Sequence, residues 1–140
     1  NLMGANLVKL FPFPGHALSK MKILNLSRNL FRSISWQPQT EYFNFTSIDF
    51  SYNSISKIQS INSVYLVESF NLSFNYLTQL SHLRIRNISL ITNLDMSHNR
   101  ISSIHLQAFQ SAKQLKEIYL DTNYLRNLKF TSMMPNVKVL

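Results

Sequence analysis

Cysteine is absent from this chain of 140 residues, which removes a disulfide framework, a thiol nucleophile and a cysteine-held zinc site. Two glycines and four prolines are too few for a collagen-like chain or a disordered linker, and they leave no glycine-rich loop to cradle a phosphate. No run of 18 apolar residues occurs, so no membrane-spanning helix is written into the chain. Acids are scarce: six Asp and Glu stand against fourteen Lys and Arg, for a net charge of +8. His16, His82, His98 and His105 show no metal spacing such as HExxH, and no GxSxG nucleophile motif is present. What the chain does have is 45% hydrophobic residues, ample for the core of one domain, and 15 asparagines.

Five of those asparagines, Asn29, Asn53, Asn75, Asn99 and Asn123, recur at intervals of 24, 22, 24 and 24 residues. Each sits in the same phrase: MKILNLSRNLFRSI from Met21, FTSIDFSYNSISKI from Phe45, VESFNLSFNYLTQL from Val67, ITNLDMSHNRISSI from Ile91 and LKEIYLDTNYLRNL from Leu115. Numbered from the first residue of each phrase, positions 1, 4, 6, 11 and 14 are apolar in all five copies and position 9 is always Asn. Fixed periods of 20 to 50 residues signal a solenoid. Apolar positions 4 and 6 alternate with polar 3, 5 and 7, the period of a strand with one buried face. One such strand per repeat, always in the same direction, predicts a parallel sheet, with the rest of each repeat as the return connection. Beyond position 6 the chain turns inside an apolar interior, where an unpaired backbone group costs about 1–3 kcal/mol. An inward Asn at position 9 carries donors and an acceptor on a short stem, so a structural ladder of these five residues is expected.

The phrase resembles the leucine-rich repeat, LxxLxLxxNxLxxL, with Ile, Phe, Met and Val replacing some leucines. The resemblance covers nearly the whole chain. A degenerate half-repeat occupies 1–20, with Leu2, Leu7 and Leu10 in frame but Ala5 at the ladder position; full repeats start near 21, 45, 67, 91 and 115; residues 137–140 open a truncated one, with Val137 and Leu140 at positions 1 and 4. The resemblance implies an α/β-type solenoid, a right-handed superhelix or horseshoe fragment. Its concave side would carry the parallel sheet, its convex side irregular or short helical segments. The 24-residue length, with Phe109 at position 19 and Ala112 at position 22, is similar to repeats of extracellular receptors such as the Toll-like and chaoptin-like arrays. Gly15, Gln39 and Ile85 depart from that pattern at position 19. An extracellular or cell-surface location follows as an expectation, with a cytosolic scaffold as the alternative. The opening NLMGANLVKL has no signal-segment pattern, and cysteine-rich caps usual in extracellular members are missing, so an internal stretch of a longer array is expected.

Four N-glycosylation sequons exist, at Asn25, Asn44, Asn71 and Asn87. Roughly three would arise from this composition alone, and two of them fall out of the repeat motif itself, as LNLS at Asn25 and FNLS at Asn71. Asn44 and Asn87 lie on connections; Asn25 and Asn71, at position 5, would carry sugar on the concave face.

The repeat grid also sorts the charge. Positions 2 to 10 hold Lys22, Arg28, Arg100, Lys116 and Lys138 against Asp49, Glu68, Asp95, Glu117 and Asp121, which cancel; the whole excess of +8 falls on the connections. Lys9, Arg32, Lys57 and Arg126, at positions 12 and 13, form a basic flank. A nucleic-acid partner there is a minor alternative, since phosphate binding needs clustered cations. The expected partner is a protein ligand or co-receptor on positions 3, 5, 7, 8 and 10. Position 8 reads Arg28, Tyr52, Phe74, His98, Thr122 and position 10 reads Leu30, Ser54, Tyr76, Arg100, Tyr124, rich in the side chains that anchor interfaces. The favoured patch is Asp95, His98, Arg100, Glu117, Tyr119, Asp121 and Tyr124, which mixes charge with aromatics and carries no sequon; Tyr52, Phe74 and Tyr76 extend it. Cross-strand packing alone would also account for such aromatics. Asp49 and Asp95 lie two strands apart, roughly 10 Å at about 4.8 Å per strand, and an open face would not raise either pKa for acid catalysis. The reading is a non-enzymatic recognition module without cofactor or metal.

Overall fold

A computed structural model of the chain describes residues 1–9, 20–36, 45–61, 67–80, 90–105, 108–109, 112–133 and 136–140. Its organising element is a parallel sheet of six short strands: β1 (Ile23–Asn25), β3 (Ser47–Asp49), β5 (Ser69–Asn71), β7 (Asn93–Asp95), β9 (Glu117–Tyr119) and β10 (Lys138–Val139), adjacent in that order. Ile23, Ser47, Ser69, Asn93 and Glu117 are register partners in turn, so position 3 of every repeat stacks on position 3 of the next. The fold is a parallel-strand β-solenoid with little helix; among the described residues the longest helical piece is a 3-10 segment, Lys129–Met133.

Alternation within each strand explains the core. Position 4 (Leu24, Ile48, Phe70, Leu94, Ile118) and position 6 (Leu26, Phe50, Leu72, Met96, Leu120) are buried in every copy, and Phe31, Ile55, Leu77 and Ile101 at position 11 close the interior from the far side. Phe31, Phe50 and Phe70 meet edge to face at 5.5 and 6.2 Å, the arrangement that ring quadrupoles favour. Phe109 and Ala112 are buried in the return segment of the fourth repeat. The column at position 14 is unevenly covered: Ile34 and Leu80 are buried, Ile58 and Ile104 half-buried and Leu128 exposed.

The asparagine ladder occupies the turn. Asn53 places Nδ2 3.1 Å from the Leu26 carbonyl of the preceding repeat and 3.0 and 3.1 Å from the Phe50 and Ser51 carbonyls of its own, while Oδ1 accepts from the Phe31 N–H at 3.1 Å. Asn75, Asn99 and Asn123 repeat this set one turn further on. Asn29 does the same toward the half-repeat, through Leu2 and Leu7. Among the described residues no buried side-chain polar atom lacks a partner, which is what burying an amide in an apolar stack requires. The half-repeat follows the same frame without a ladder Asn, and it turns through Gly4 (φ 67°) and Asn6 (φ 57°), residue types that tolerate the left-handed region.

Three features differ from the sequence reading. First, position 7 does not face outward: Ser27, Ser51, Ser73 and Ser97 are buried. Position 8 follows at once, where Arg28, Tyr52, Phe74, His98 and Thr122 all adopt φ between 51° and 55°. The left-handed residue ends the strand just after position 7, where the Ser27 and Ser97 hydroxyls donate to the Asn25 and Asp95 side chains at position 5, so position 7 is covered although position 8 stands out. Second, β10 pairs Lys138 with Glu117 and Val139 with Ile118, one residue off the expected frame. Val139, not Leu140, takes the inward position 4, because a single-residue slip exchanges the two faces; Leu140 is left 41% exposed. Third, lateral strands that were not anticipated pair outside the main sheet: β2 (Ser33–Trp36) with β4 (Lys57–Ile61) and β6 (Gln79–Leu80) with β8 (Ser103–Ile104).

Candidate recognition surface

The sheet leaves one face open to solvent, and its side chains fall into three separate systems. The first is built from position 5. Asn25, Asp49, Asn71 and Asp95 each turn Oδ1 back to accept the N–H of the serine two residues on, at 2.8 to 3.0 Å. Ser27 and Ser97 add their hydroxyls to the same oxygen at 2.7 Å. This local bond is characteristic of Asx turns, and it satisfies the backbone where the strand stops. The fifth repeat departs from the pairing: Tyr119 replaces the Asx residue and Asp121 the serine, and Asp121 is correspondingly exposed.

Position 8 supplies the second system. Arg28 lays its guanidinium 4.6 Å over the Tyr52 ring. Tyr52 stacks on Phe74 at 4.2 Å and 9°, and Phe74 on His98 at 4.1 Å and 10°. His98 ends 3.7 Å from the Asp121 carboxylate. One continuous column of side chains therefore runs across all five repeats on the open face. Beside it, at position 10, Arg100 lies 4.5 Å over Tyr76, and Tyr124 stands 66% exposed. Parallel strands in register hold equivalent positions about 4.8 Å apart, close to ring-stacking distance, so planar side chains at one position of successive repeats stack.

Third comes a polar network at the C-terminal end of the face. The Asn93 amide donates to Glu117 Oε2 at 2.9 Å, and the Tyr119 hydroxyl donates to the same oxygen at 2.9 Å. That bond, followed by desolvation and the charges of Glu117 and Asp95, raises the Tyr119 pKa above the ordinary 10.0. Tyr119 thus belongs with Glu117 rather than with the aromatic column.

The expected patch is consequently divided. The structure brings His98 to Asp121 and Glu117 to Tyr119, ties Asp95 to its own turn, and joins His98 to Tyr52 and Phe74 across the proposed boundary of the patch. Arg28 and Asn93 were not among the candidate residues. The planar types in column 8 carried the signal for Arg28; nothing in the sequence flagged Asn93. Asn25 and Asn71 are half-buried at position 5, each with Oδ1 engaged in its turn, while Asn44 and Asn87 lie outside the described residues, as do Gly15, Gln39 and Ile85. Lys9, Arg32, Lys57 and Arg126 are all exposed. Among the described residues no group of three or more His, Cys, Asp or Glu could hold a metal ion, and no helix is long and apolar enough to cross a membrane.

Comparison with known proteins agrees with the repeat geometry. The family model for the leucine rich repeat matches residues 66–125. The chain is similar to the CD180 antigen of Mus musculus, at 29% identity over 113 residues, 77% of this chain and 17% of that protein. It is similar to Toll-like receptor 10 of Bos taurus at 28% over 85 residues, 61% of this chain and 10% of the receptor. It also matches the adenylate cyclase of Schizosaccharomyces pombe at 26% over 142 residues, 91% of this chain and 8% of the cyclase. The chain therefore spans less than a fifth of each of these three relatives.

Proposed function

Since the chain is a leucine-rich repeat protein, we propose that it is a non-enzymatic recognition module that binds a protein ligand or co-receptor through the open face of its sheet. The observation that carries this reading is the side-chain column from Arg28 to Asp121. Tyr52 and Phe74 remain 43% and 38% exposed, so the column adds little to the buried core, yet stacking fixes its side chains before any partner arrives. Rigid aromatic and arginine side chains on an open surface lose little entropy on binding and are the types enriched at interface hot spots. An extracellular or cell-surface setting is the companion proposal, supported by relatives named as an antigen and a receptor. The similarity to an adenylate cyclase favours a second reading, an intracellular scaffold. A nucleic-acid role for Lys9, Arg32, Lys57 and Arg126 has only their exposure behind it.

Two measurements test this. A panel of purified receptor and secreted ectodomains is screened for binding by the full-length protein, and Phe74→Ser is compared with the native chain. Loss of a detected interaction in a variant that keeps the native circular dichroism spectrum and is folded at the assay temperature supports the face; unchanged affinity moves the site elsewhere. For the setting, the protein is expressed in animal cells and weighed before and after glycan removal. No mass change at Asn25, Asn44, Asn71 and Asn87 together overturns the extracellular assignment.

A further inference from the structure

The rings of column 8 are already stacked, so their faces are occupied. A nucleobase or a sugar ring could not use them without breaking the column. What they present to solvent is ring edges, which carry the positive end of the aromatic quadrupole. Arg28 and Arg100 reinforce that sign. Both are exposed, both hold Cζ over a tyrosine ring at 4.6 and 4.5 Å, and among the described residues neither guanidinium has a carboxylate partner, whereas His98 has Asp121. A guanidinium held over a ring by cation–π attraction still has its N–H fork available for bidentate contact with a carboxylate.

The spacing of these two groups is a ruler. Arg28 stands at position 8 of the first full repeat and Arg100 at position 10 of the fourth, three strand intervals apart across the sheet, roughly 14 Å at about 4.8 Å per interval, with an offset of two residues along the strand direction besides. An extended peptide advances about 3.4 Å per residue, so four residues cover roughly the same 14 Å. Residues i and i+4 of an extended chain also point to the same side, whereas i and i+3 do not.

We propose that Arg28 and Arg100 are paired receptors for two carboxylates four residues apart in an extended segment of a protein partner, laid along the column with residue i+2 over the edges of Tyr52 and Phe74. The idea rests on the open-face reading above and names the partner's chemistry. A dense polyanion fits poorly. Asp49, Asp95 and Glu117 lie beside the column on positions 3 and 5, and a sulfated glycan or nucleic acid carrying charge every few ångströms would meet them. A peptide with two isolated acids and neutral residues between them avoids that repulsion.

Fluorescence anisotropy at low salt, with labelled peptides Glu-Thr-Ser-Thr-Glu, Glu-Thr-Thr-Glu and Gln-Thr-Ser-Thr-Gln embedded in neutral flanks, tests the assignment. The first peptide is expected to bind about tenfold or more tighter than the other two, a difference of about 1.4 kcal/mol. Arg28→Gln and Arg100→Gln should each erase that preference, Arg28→Lys should not restore it, and the Lys57→Gln/Arg126→Gln double variant should leave it intact. All four substituted residues are exposed, and a matching circular dichroism spectrum confirms that each variant folds. Equal affinity for the three peptides, no binding by any of them, or a preference that survives both arginine variants overturns the proposal. Tighter binding of heparin or duplex DNA that depends on Arg28 and Arg100 overturns it as well. If the peptides show no preference but Phe74→Ser still abolishes binding of a protein ligand, the carboxylate pairing fails and the recognition face stands.

Discussion

Replacing Asn99 by alanine isolates what one rung of the ladder contributes. The Asn99 amide reaches the Leu72, Met96 and Ser97 carbonyls and accepts from the Leu77 N–H at 3.0 Å. These losses are unequal. The Leu72 carbonyl keeps the Asn75 amide, the Met96 carbonyl keeps the Asn123 amide, and the Ser97 carbonyl keeps the Phe74 N–H. Leu77 N–H has no such second partner, and Leu77 is 2% exposed. One orphaned buried donor costs about 1–3 kcal/mol, and the three weakened carbonyl contacts add a fraction of the usual 0.5–1.5 kcal/mol each. The expected loss is therefore about 2–4 kcal/mol. At the N-terminal end the same substitution should cost less. Asn29 accepts from Leu7, which is half-buried, so water can replace the lost acceptor. Urea unfolding of the native chain, Asn99→Ala and Asn29→Ala, followed together with amide exchange at Leu77, measures both values and checks that the array unfolds as one unit. A loss under about 0.5 kcal/mol at Asn99, or a larger loss at Asn29, refutes the reasoning.

Phe74→Ala breaks the column at its middle and removes two ring contacts, each worth about 0.5–1.5 kcal/mol; a thermal midpoint equal to that of the native chain contradicts the stacking. Tyr119 has its pKa raised by Glu117, so its neutral form is favoured in the fold; the associated stability is present below the unfolded pKa of 10.0 and is lost as pH rises through the higher folded value. Absorbance titration at alkaline pH should show Tyr119 ionising late, and Glu117→Gln should bring it back toward the ordinary value. The register of β10 predicts that Val139→Asp lowers the unfolding midpoint while Leu140→Asp changes stability by less than about 0.5 kcal/mol; the opposite order restores the frame expected from the sequence. Thr122 holds φ 53° with a β-branched side chain, so Thr122→Asn should stabilise by about 0.5–1 kcal/mol, measured by chemical denaturation, and a destabilised variant would count against strain at that residue.

The period, the strands and the ladder were legible because they rest on residues that no other role explains: an Asn at position 9 of every copy, flanked by apolar 6 and 11. The burial of the serines was not legible, since alternation placed position 7 on the open face, and the left-handed residue that ends the strand there has no glycine to announce it. Their pairing with position 5 is visible as NLS, DFS, NLS and DMS, but two of these also spell glycosylation sequons, so the pattern carries two meanings. The C-terminal register was ambiguous because Val137, Val139 and Leu140 are all apolar, leaving two faces of a short strand nearly equivalent in pattern. On the surface, the sequence named Tyr52, Phe74 and His98 but not their order of contact, which depends on rings in neighbouring repeats lying one strand spacing apart.

That spacing also bears on why large side chains stand at position 8. An L-residue in the left-handed region costs roughly 1–2 kcal/mol, and asparagine or glycine would lower it. Arg28, Tyr52, Phe74 and His98 accept the cost where each has a stacked neighbour, and stacking contributes about 0.5–1.5 kcal/mol per contact. Three such contacts offset only part of the cost of four left-handed residues, so the column does not by itself favour folding. Thr122 lacks a stacked neighbour and therefore bears its strain without that compensation. An arrangement that costs more than its own contacts return, on an exposed surface, fits the proposal that the column serves contact with something outside the chain. The buried rungs of asparagine stabilise the array, and the exposed rungs of arginine, tyrosine, phenylalanine and histidine are held at the same intervals by that same register.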